Sequence, residues 1–155
     1  MRSLRPVLRA ERRHGFMDIR VYRHTDRAAV IELWRECGLV KAQNNPDADI
    51  DRKLEVNPEL FLVGIDQGAL IATVMGGYEG HRGWINYLAV SPGAQRKGYG
   101  KAMMDAVELK IAALGCPKIN LQVRAGNDVV LEFYASLGYA SDPVTNLGKR
   151  LLRDD

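Results

Sequence analysis

Leu88-Ala89-Val90-Ser91-Pro92-Gly93-Ala94-Gln95-Arg96-Lys97-Gly98-Tyr99-Gly100 is the stretch on which the reading of this chain turns. It closes an apolar run from Trp84 to Val90 that has the length and composition of a buried strand. Pro92 and Gly93 end that strand, because proline has no N–H for the ladder and both residues favour turns. Beyond the loop, Met103, Val107, Ile111 and Leu114 recur at helical spacing, so a helix begins near Gly98. Strand, basic loop and helix N-terminus together make an anion cradle. The first-turn N–H groups have no partner inside the helix and carry partial positive charge. Gly98 and Gly100 lack a Cβ and let a phosphate approach the backbone, while Arg96, Lys97 and Lys101 add cations.

Two phosphate-binding patterns do not fit. The P-loop pattern fails twice, with Gln95 where its first glycine belongs and Ala102 where its magnesium-binding hydroxyl belongs. The dinucleotide fingerprint wants a third glycine where Met103 stands, and it wants the motif at a first strand rather than late in the chain.

At 155 residues and 46% hydrophobic content, the chain is long enough for one domain with a proper core. No apolar run approaches the roughly 18 residues of a membrane span, so a soluble protein with no membrane partner is expected. Cys37 and Cys116 are too few for a disulfide framework or a zinc site, and read as reduced thiols of a cytoplasmic protein with no metal. The net charge of +3 is uneven: residues 1–16 hold Arg2, Arg5, Arg9, Arg12 and Arg13 against Glu11 alone, leaving the remainder nearly neutral. Residues 1–17 therefore read as a flexible basic extension and 18–155 as a single domain. A nearly neutral domain argues against a nucleic-acid partner.

Ile19-Arg20-Val21-Tyr22-Arg23 alternates as a half-buried first strand. Thr25 is the expected N-cap of a helix striped by Val30, Leu33 and Trp34, with Trp34 read as core. Residues 43–51 are polar, with Asp47, Asp49 and Asp51. They read either as a recognition surface for a cationic amine or as a solvated loop whose aspartates cap a short helix from Ile50 to Val56. Leu60 to Ile65, Ala69 to Tyr78 and Trp84 to Val90 form an antiparallel meander, joined by turns at Asp66-Gln67-Gly68 and Glu79-Gly80-His81-Arg82-Gly83. Lys118 to Val123 is a further strand, Asn127 or Asp128 opens a helix ended by Gly138, and Tyr139-Ala140 with Asn146 to Leu152 read as a closing hairpin.

Gln95, Gly98 and Gly100 fill the three defining positions of a signature, Gln/Arg-x-x-Gly-x-Gly/Ala after a strand, that resembles the acetyl-CoA motif of the GNAT N-acetyltransferase superfamily. Asn127, with Tyr134, Gly138 and Tyr139 beyond it, is similar to a second segment of that family. Asn45-x-Asp47, Met75-Gly76-Gly77-Tyr78 and Leu147-Gly148-Lys149-Arg150-Leu151 resemble its small bacterial YpeA-type members. The resemblance implies an α/β (α+β) GNAT fold of order β-α-α-β-β-β-α-β-α-β-β. Its mixed, mostly antiparallel sheet of about seven strands is splayed between the strand ending at Val90 and the strand Lys118 to Val123.

The resemblance also implies acetyl transfer from acetyl-CoA to a primary amine of a small molecule, peptide or protein, within a ternary complex. The pyrophosphate would lie on the backbone from Gln95 through Arg96, Lys97, Gly98 and Tyr99 to Gly100, with Lys97 and Lys101 beside it. The pantetheine would run along Leu88-Ala89-Val90, with the Leu88 N–H polarising the thioester carbonyl. Tyr134 stands at the general-acid position, and Asn127 would bond the pantetheine or cap its helix. Gln122 replaces a glutamate that precedes a similar run in ribosomal-protein N-terminal acetyltransferases, which leaves Glu79 and His81 as the titratable candidates for a base. The competing expectation is an acetyl-CoA sensor with little turnover. The acceptor is not legible in the sequence, and a homodimer is left open.

Overall fold

Apolar residues at successive positions of a strand point to opposite faces of its sheet, and this chain fills both. The computed structural model describes residues 9–12 and 15–154. In chain order the elements are β1 (Arg9–Arg12), β2 (Gly15–Val21), α1 (Arg27–Glu36), α2 (Pro46–Glu55), β3 (Phe61–Asp66), β4 (Ala69–Tyr78), β5 (Gly83–Val90), α3 (Tyr99–Ala113), β6 (Ile119–Leu121) and α4 (Asp128–Ser136). The six strands lie in sequence order in one mixed sheet, antiparallel up to β5 and parallel between β5 and β6.

Consecutive residues of β3 and β4 feed the two cores. Leu62 and Val74 pack with Met103, Val107 and Ile111 of α3 on one face. Phe61, Val63 and Met75 pack with Val30, Leu33 and Trp34 of α1 and Ile50 of α2 on the other. Trp34 is fully buried, as its place in the helical stripe implies. The approach of α3 to β4 depends on Gly76, where a Cβ would stand 2.6 Å from Val107 Cγ2.

The class of fold and the element order through α4 agree with the sequence reading, while the ends differ. Five of the seven expected strands form, because the closing hairpin over 139–152 does not, and the unexpected β1 brings the number among the described residues to six. No strand occurs between α4 and residue 154. Tyr139 is drawn off to Glu108 on α3 by a 2.7 Å hydrogen bond. Val144 N–H folds back on the Asp142 carbonyl at 2.8 Å, across Pro143, which has no N–H to offer a ladder. The strand expected over 118–123 is confined to Ile119–Leu121. At the other end β2 starts at Gly15 rather than at Ile19, and β1 pairs with it from Arg9↔Asp18 to Arg12↔Gly15. The reading of residues 1–17 as a basic extension falls partly on 1–8 and 13–14, which lie outside the described residues.

Helix starts were also misplaced by the sequence reading. α2 begins at Pro46, four residues early, because the Asn45 side chain caps it by accepting the Ala48 N–H at 3.1 Å. Asp47 and Asp49 occupy its first turn without capping it. Ahead of α1, Asp26 rather than Thr25 organises the turn. Its carboxylate accepts the Arg23 N–H at 2.8 Å and both Arg20 guanidinium nitrogens at 2.7 and 2.9 Å.

Candidate active site

Two irregularities in β5 create the site. Its pairing with β6 is limited to residues 83–85, so residues 86–90 are paired with β4 alone and the sheet splays at that point. Its register with β4 shifts between Thr73 and Met75, where Tyr87 takes a left-handed φ of 51°. The bulge is held from below: the Trp34 indole N–H donates to the Thr73 hydroxyl, which donates to the Tyr87 carbonyl, each at 2.9 Å. The Tyr87 ring stacks on Trp34 with centroids 3.8 Å apart.

The loop from β5 to α3 continues this edge. Among the described residues, the backbone N–H groups of Gln95, Arg96, Lys97, Gly98, Gly100 and Lys101 form no hydrogen bond. Gly98 caps α3 with φ 84° and would have nothing within 4 Å of an added Cβ, so the space before it is open. Gly100 serves packing instead, since its Cβ would lie 3.0 Å from Cζ of Phe133. The Gln95 side chain turns back to donate to the Val90 carbonyl at 3.1 Å, pinning the loop to the strand end. The Tyr99 side chain is buried and donates to Asp66 at 3.0 Å, so only its backbone faces the loop. Lys101 pairs along the helix with Asp105 at 2.6 Å. Arg96 and Lys97 are exposed and, among the described residues, make no ion pair.

Across the splay, Asn127 caps α4 by accepting the Val130 N–H at 3.4 Å. Tyr134 is 8% exposed, edge-on to Phe133 and Tyr139, and burial pushes its phenol up to about 12. Its hydroxyl makes no hydrogen bond among the described residues, yet it is not sealed from solvent. A protonated phenol at neutral pH can donate to an anionic sulfur.

Glu79 and His81 are not brought to this edge. They lie in the β4–β5 turn, at the opposite end of β5 from Val90. The Glu79 carboxylate accepts the N–H groups of His81, at 3.1 Å, and of Arg82, which shapes the turn. Gln122 Nε2 donates to Asn146 Oδ1 at 2.7 Å and faces the C-terminal segment.

Several residues between β5, α2 and the C-terminal segment were missed by sequence reasoning. Tyr87 directly precedes the quoted motif, and its aromatic character was absorbed into an apolar run. Its hydroxyl donates to Asp49 at 2.6 Å. Arg52 and Asp154 form a two-pronged ion pair at 2.7 and 2.6 Å, a contact across 102 residues that leaves no local signal.

Residues 27–139 match the model of the acetyltransferase (GNAT) family, and the chain belongs to that family. It is an acetyltransferase, and acetyl-CoA is the acetyl donor of the family. An acetyltransferase of Sodalis glossinidius is 48% identical over 139 residues, which cover 89% of this chain and 98% of the relative. The aminoglycoside acetyltransferase AAC(6')-Iy, solved with a CoA-based bisubstrate analogue, shares the fold at a TM-score of 0.71 and 18% identity, covering 86% of this chain and 98% of its own. The PaiA N-acetyltransferase of Thermoplasma acidophilum, solved with coenzyme A, does so at 0.66 and 20% identity, covering 83% and 92%.

Proposed function

We propose that the chain transfers the acetyl group of acetyl-CoA to a primary amine, with both substrates bound together at the splay of β5. The observation that carries this reading is the unpaired β5 edge running straight into a loop of unbonded N–H groups before α3. Open backbone groups on a strand edge suit the amides of pantetheine, and the loop N–H groups with Arg96 and Lys97 suit a pyrophosphate. When bound, acetyl-CoA supplies an activated thioester carbonyl.

The chain's own residues then have separable tasks. The Leu88 N–H, beside the bulge at Tyr87, donates to the reacting carbonyl oxygen. Tyr134 gives its proton to the sulfur as the C–S bond breaks and the C–N bond forms. Asn127 holds the start of α4 and orients Tyr134. In this reading Glu79 and His81 shape the hairpin turn, which the Glu79 bonds to the His81 and Arg82 N–H groups support, and the ammonium loses its proton to water at the open edge. An α-amine, with a pKa near 8, needs less help in this than a lysine near 10.4.

Among the described residues no helix is long and apolar enough to cross a membrane, and cytoplasmic action follows from the location of the donor. A second copy of the chain is the proposed partner, because Val144, Leu147 and Leu151 are exposed on a segment without strand pairing.

The test is CoA release from acetyl-CoA over a broad amine panel, read beside thermal stabilisation by acetyl-CoA. Turnover with stabilisation is the expected result. Stabilisation without turnover of any amine would replace the enzyme reading by that of an acetyl-CoA sensor. Sedimentation velocity at micromolar concentration tests the dimer, and a monomer there refutes it.

A further inference from the structure

The three aspartates of residues 43–51 look in sequence like a binding face for a cationic amine, but the fold gives each of them a partner, with Arg27 shared by two of them. Arg27 holds Asp47 at 3.3 Å and Asp51 at 2.6 Å. Asp49 accepts the Tyr87 hydroxyl at 2.6 Å and lies 3.5 Å from Arg52. Arg52 in turn clasps Asp154, whose carboxyl it holds below the usual carboxylate range.

The Arg52–Asp154 clasp brings the C-terminal segment against α2, and between them lies an open surface cavity of about 660 Å³ whose walls include Arg52, Lys149, Arg150, Leu152 and Asp154, most of them exposed. A smaller hollow of about 210 Å³ shares Arg150 and Asp154 and adds Gln43 and Arg153. Four cationic side chains thus line the two hollows with one carboxylate, Asp154, and Arg52 is shared between Asp154 and Asp49. Among the described residues Lys149 and Arg153 make no hydrogen bond or ion pair, and Arg150 meets only the Gln43 carbonyl at 3.4 Å. The chain of contacts Arg52–Asp49–Tyr87 joins this cavity to the bulged part of β5, where the Leu88 N–H lies.

We propose that this cavity receives an oxyanion of the acceptor, a carboxylate or a phosphate, so that the acceptor is an amine that also carries a negative group. The proposal rests on the acetyltransferase reading of the β5 splay. Lys149, Arg150 and Arg153 draw the oxyanion, and a guanidinium can hold it with two parallel N–H bonds. The amine end is then directed past Asp49 and Tyr87 toward Leu88.

CoA release by the full chain, measured with matched acceptors, tests this. The pairs are glycylglutamate against glycylglutamine and phosphoethanolamine against ethanolamine, with spermidine as the cationic arm. In at least one pair the anionic member is expected to have a kcat/KM higher by about tenfold or more, mainly through KM, as charge-assisted hydrogen bonds imply. The pair that responds identifies carboxylate or phosphate. The gap should close in the Lys149→Ala/Arg150→Ala double variant, and both positions are exposed. Equal or better turnover of the neutral members or of spermidine overturns the proposal, as does a gap that survives the double variant. Calorimetric binding of glycylglutamate and phosphoethanolamine to the CoA-saturated chain decides it without turnover. Binding that the double variant abolishes supports the cavity assignment even if no amine is acetylated, an outcome that would count only against the transferase reading. Failure of both probes to bind overturns it.

Discussion

The Tyr87 hydroxyl donates to the Asp49 carboxylate at 2.6 Å, tying the bulged strand of the sheet to the helix that carries the aspartates. Burial and the neighbouring carboxylate push the Tyr87 phenol well above its ordinary range, so it remains a donor at any working pH. Tyr87→Phe keeps the stack on Trp34 and removes only this bond. It is expected to cost about 1 kcal/mol in denaturant unfolding. It should also lower kcat/KM for the acceptor several-fold more than it changes the Kd for acetyl-CoA. A double-mutant cycle with Asp49→Asn checks the pairing, and full additivity would show that the bond couples nothing.

Tyr134→Phe should lower kcat about 100-fold, in the range typical of general acids, with acetyl-CoA affinity changed by less than about threefold. Because burial raises this phenol to about 12, the group stays protonated from pH 6 to 9. An alkaline fall in kcat near pH 8 to 9 in the wild type would therefore belong to another group. Full activity of the variant across that range would remove Tyr134 from the mechanism.

The two loop glycines should respond differently to alanine. Gly98→Ala meets open space but forces an L-residue to φ 84°, at a cost of about 1–2 kcal/mol. That strain falls on the loop, so the expected effect is weaker acetyl-CoA binding by about tenfold. Gly100→Ala drives a Cβ into the Phe133 ring at 3.0 Å and should cost about 1–3 kcal/mol of stability, as overpacking does, seen as a lower melting temperature. Calorimetric titration and thermal unfolding of both variants separate the two effects.

Acid should weaken the fold through Asp26. The Arg20 guanidinium, by its hydrogen bonds, holds the Asp26 carboxyl below the usual carboxylate range. A depressed native value means stability that is complete above the unfolded pKa of about 3.9 and is lost as pH falls through the native value. Asp26→Asn should cost about 2 kcal/mol at pH 7, and the difference from wild type should shrink steadily below pH 4. Urea unfolding at pH 7, 4 and 3 measures it.

What the sequence by itself determined was local in origin. The apolar run Phe61-Leu62-Val63 marked β3, the spacing of Met103, Val107 and Ile111 marked α3, and Pro92, Gly93 and Gly98 marked the loop between strand and helix. These patterns depend on neighbours two to four residues apart, so the chain carries them openly, and with Asn127 and Tyr134 they were enough to point to the family. The misplaced starts of α1 and α2 show the limit even at short range, since Asp26 organises the turn ahead of α1 and Asn45 caps α2 in place of equally polar neighbours.

Only the tertiary structure decided the contacts among β5, α2 and the C-terminal segment. Arg52 and Asp154 meet because the C-terminal segment fails to close as a hairpin and runs to α2. Asp49 and Tyr87 meet because the β5 bulge and the Trp34 stack aim that ring toward α2. The same contacts change the reading of residues 43–51, for aspartates that look free in sequence are paired in the fold, and among the described residues the cations without a partner nearby are Lys149 and Arg153. Pairing between residues 38 and 102 positions apart is set by sheet geometry and side-chain direction, and neither is written in the order of the residues alone.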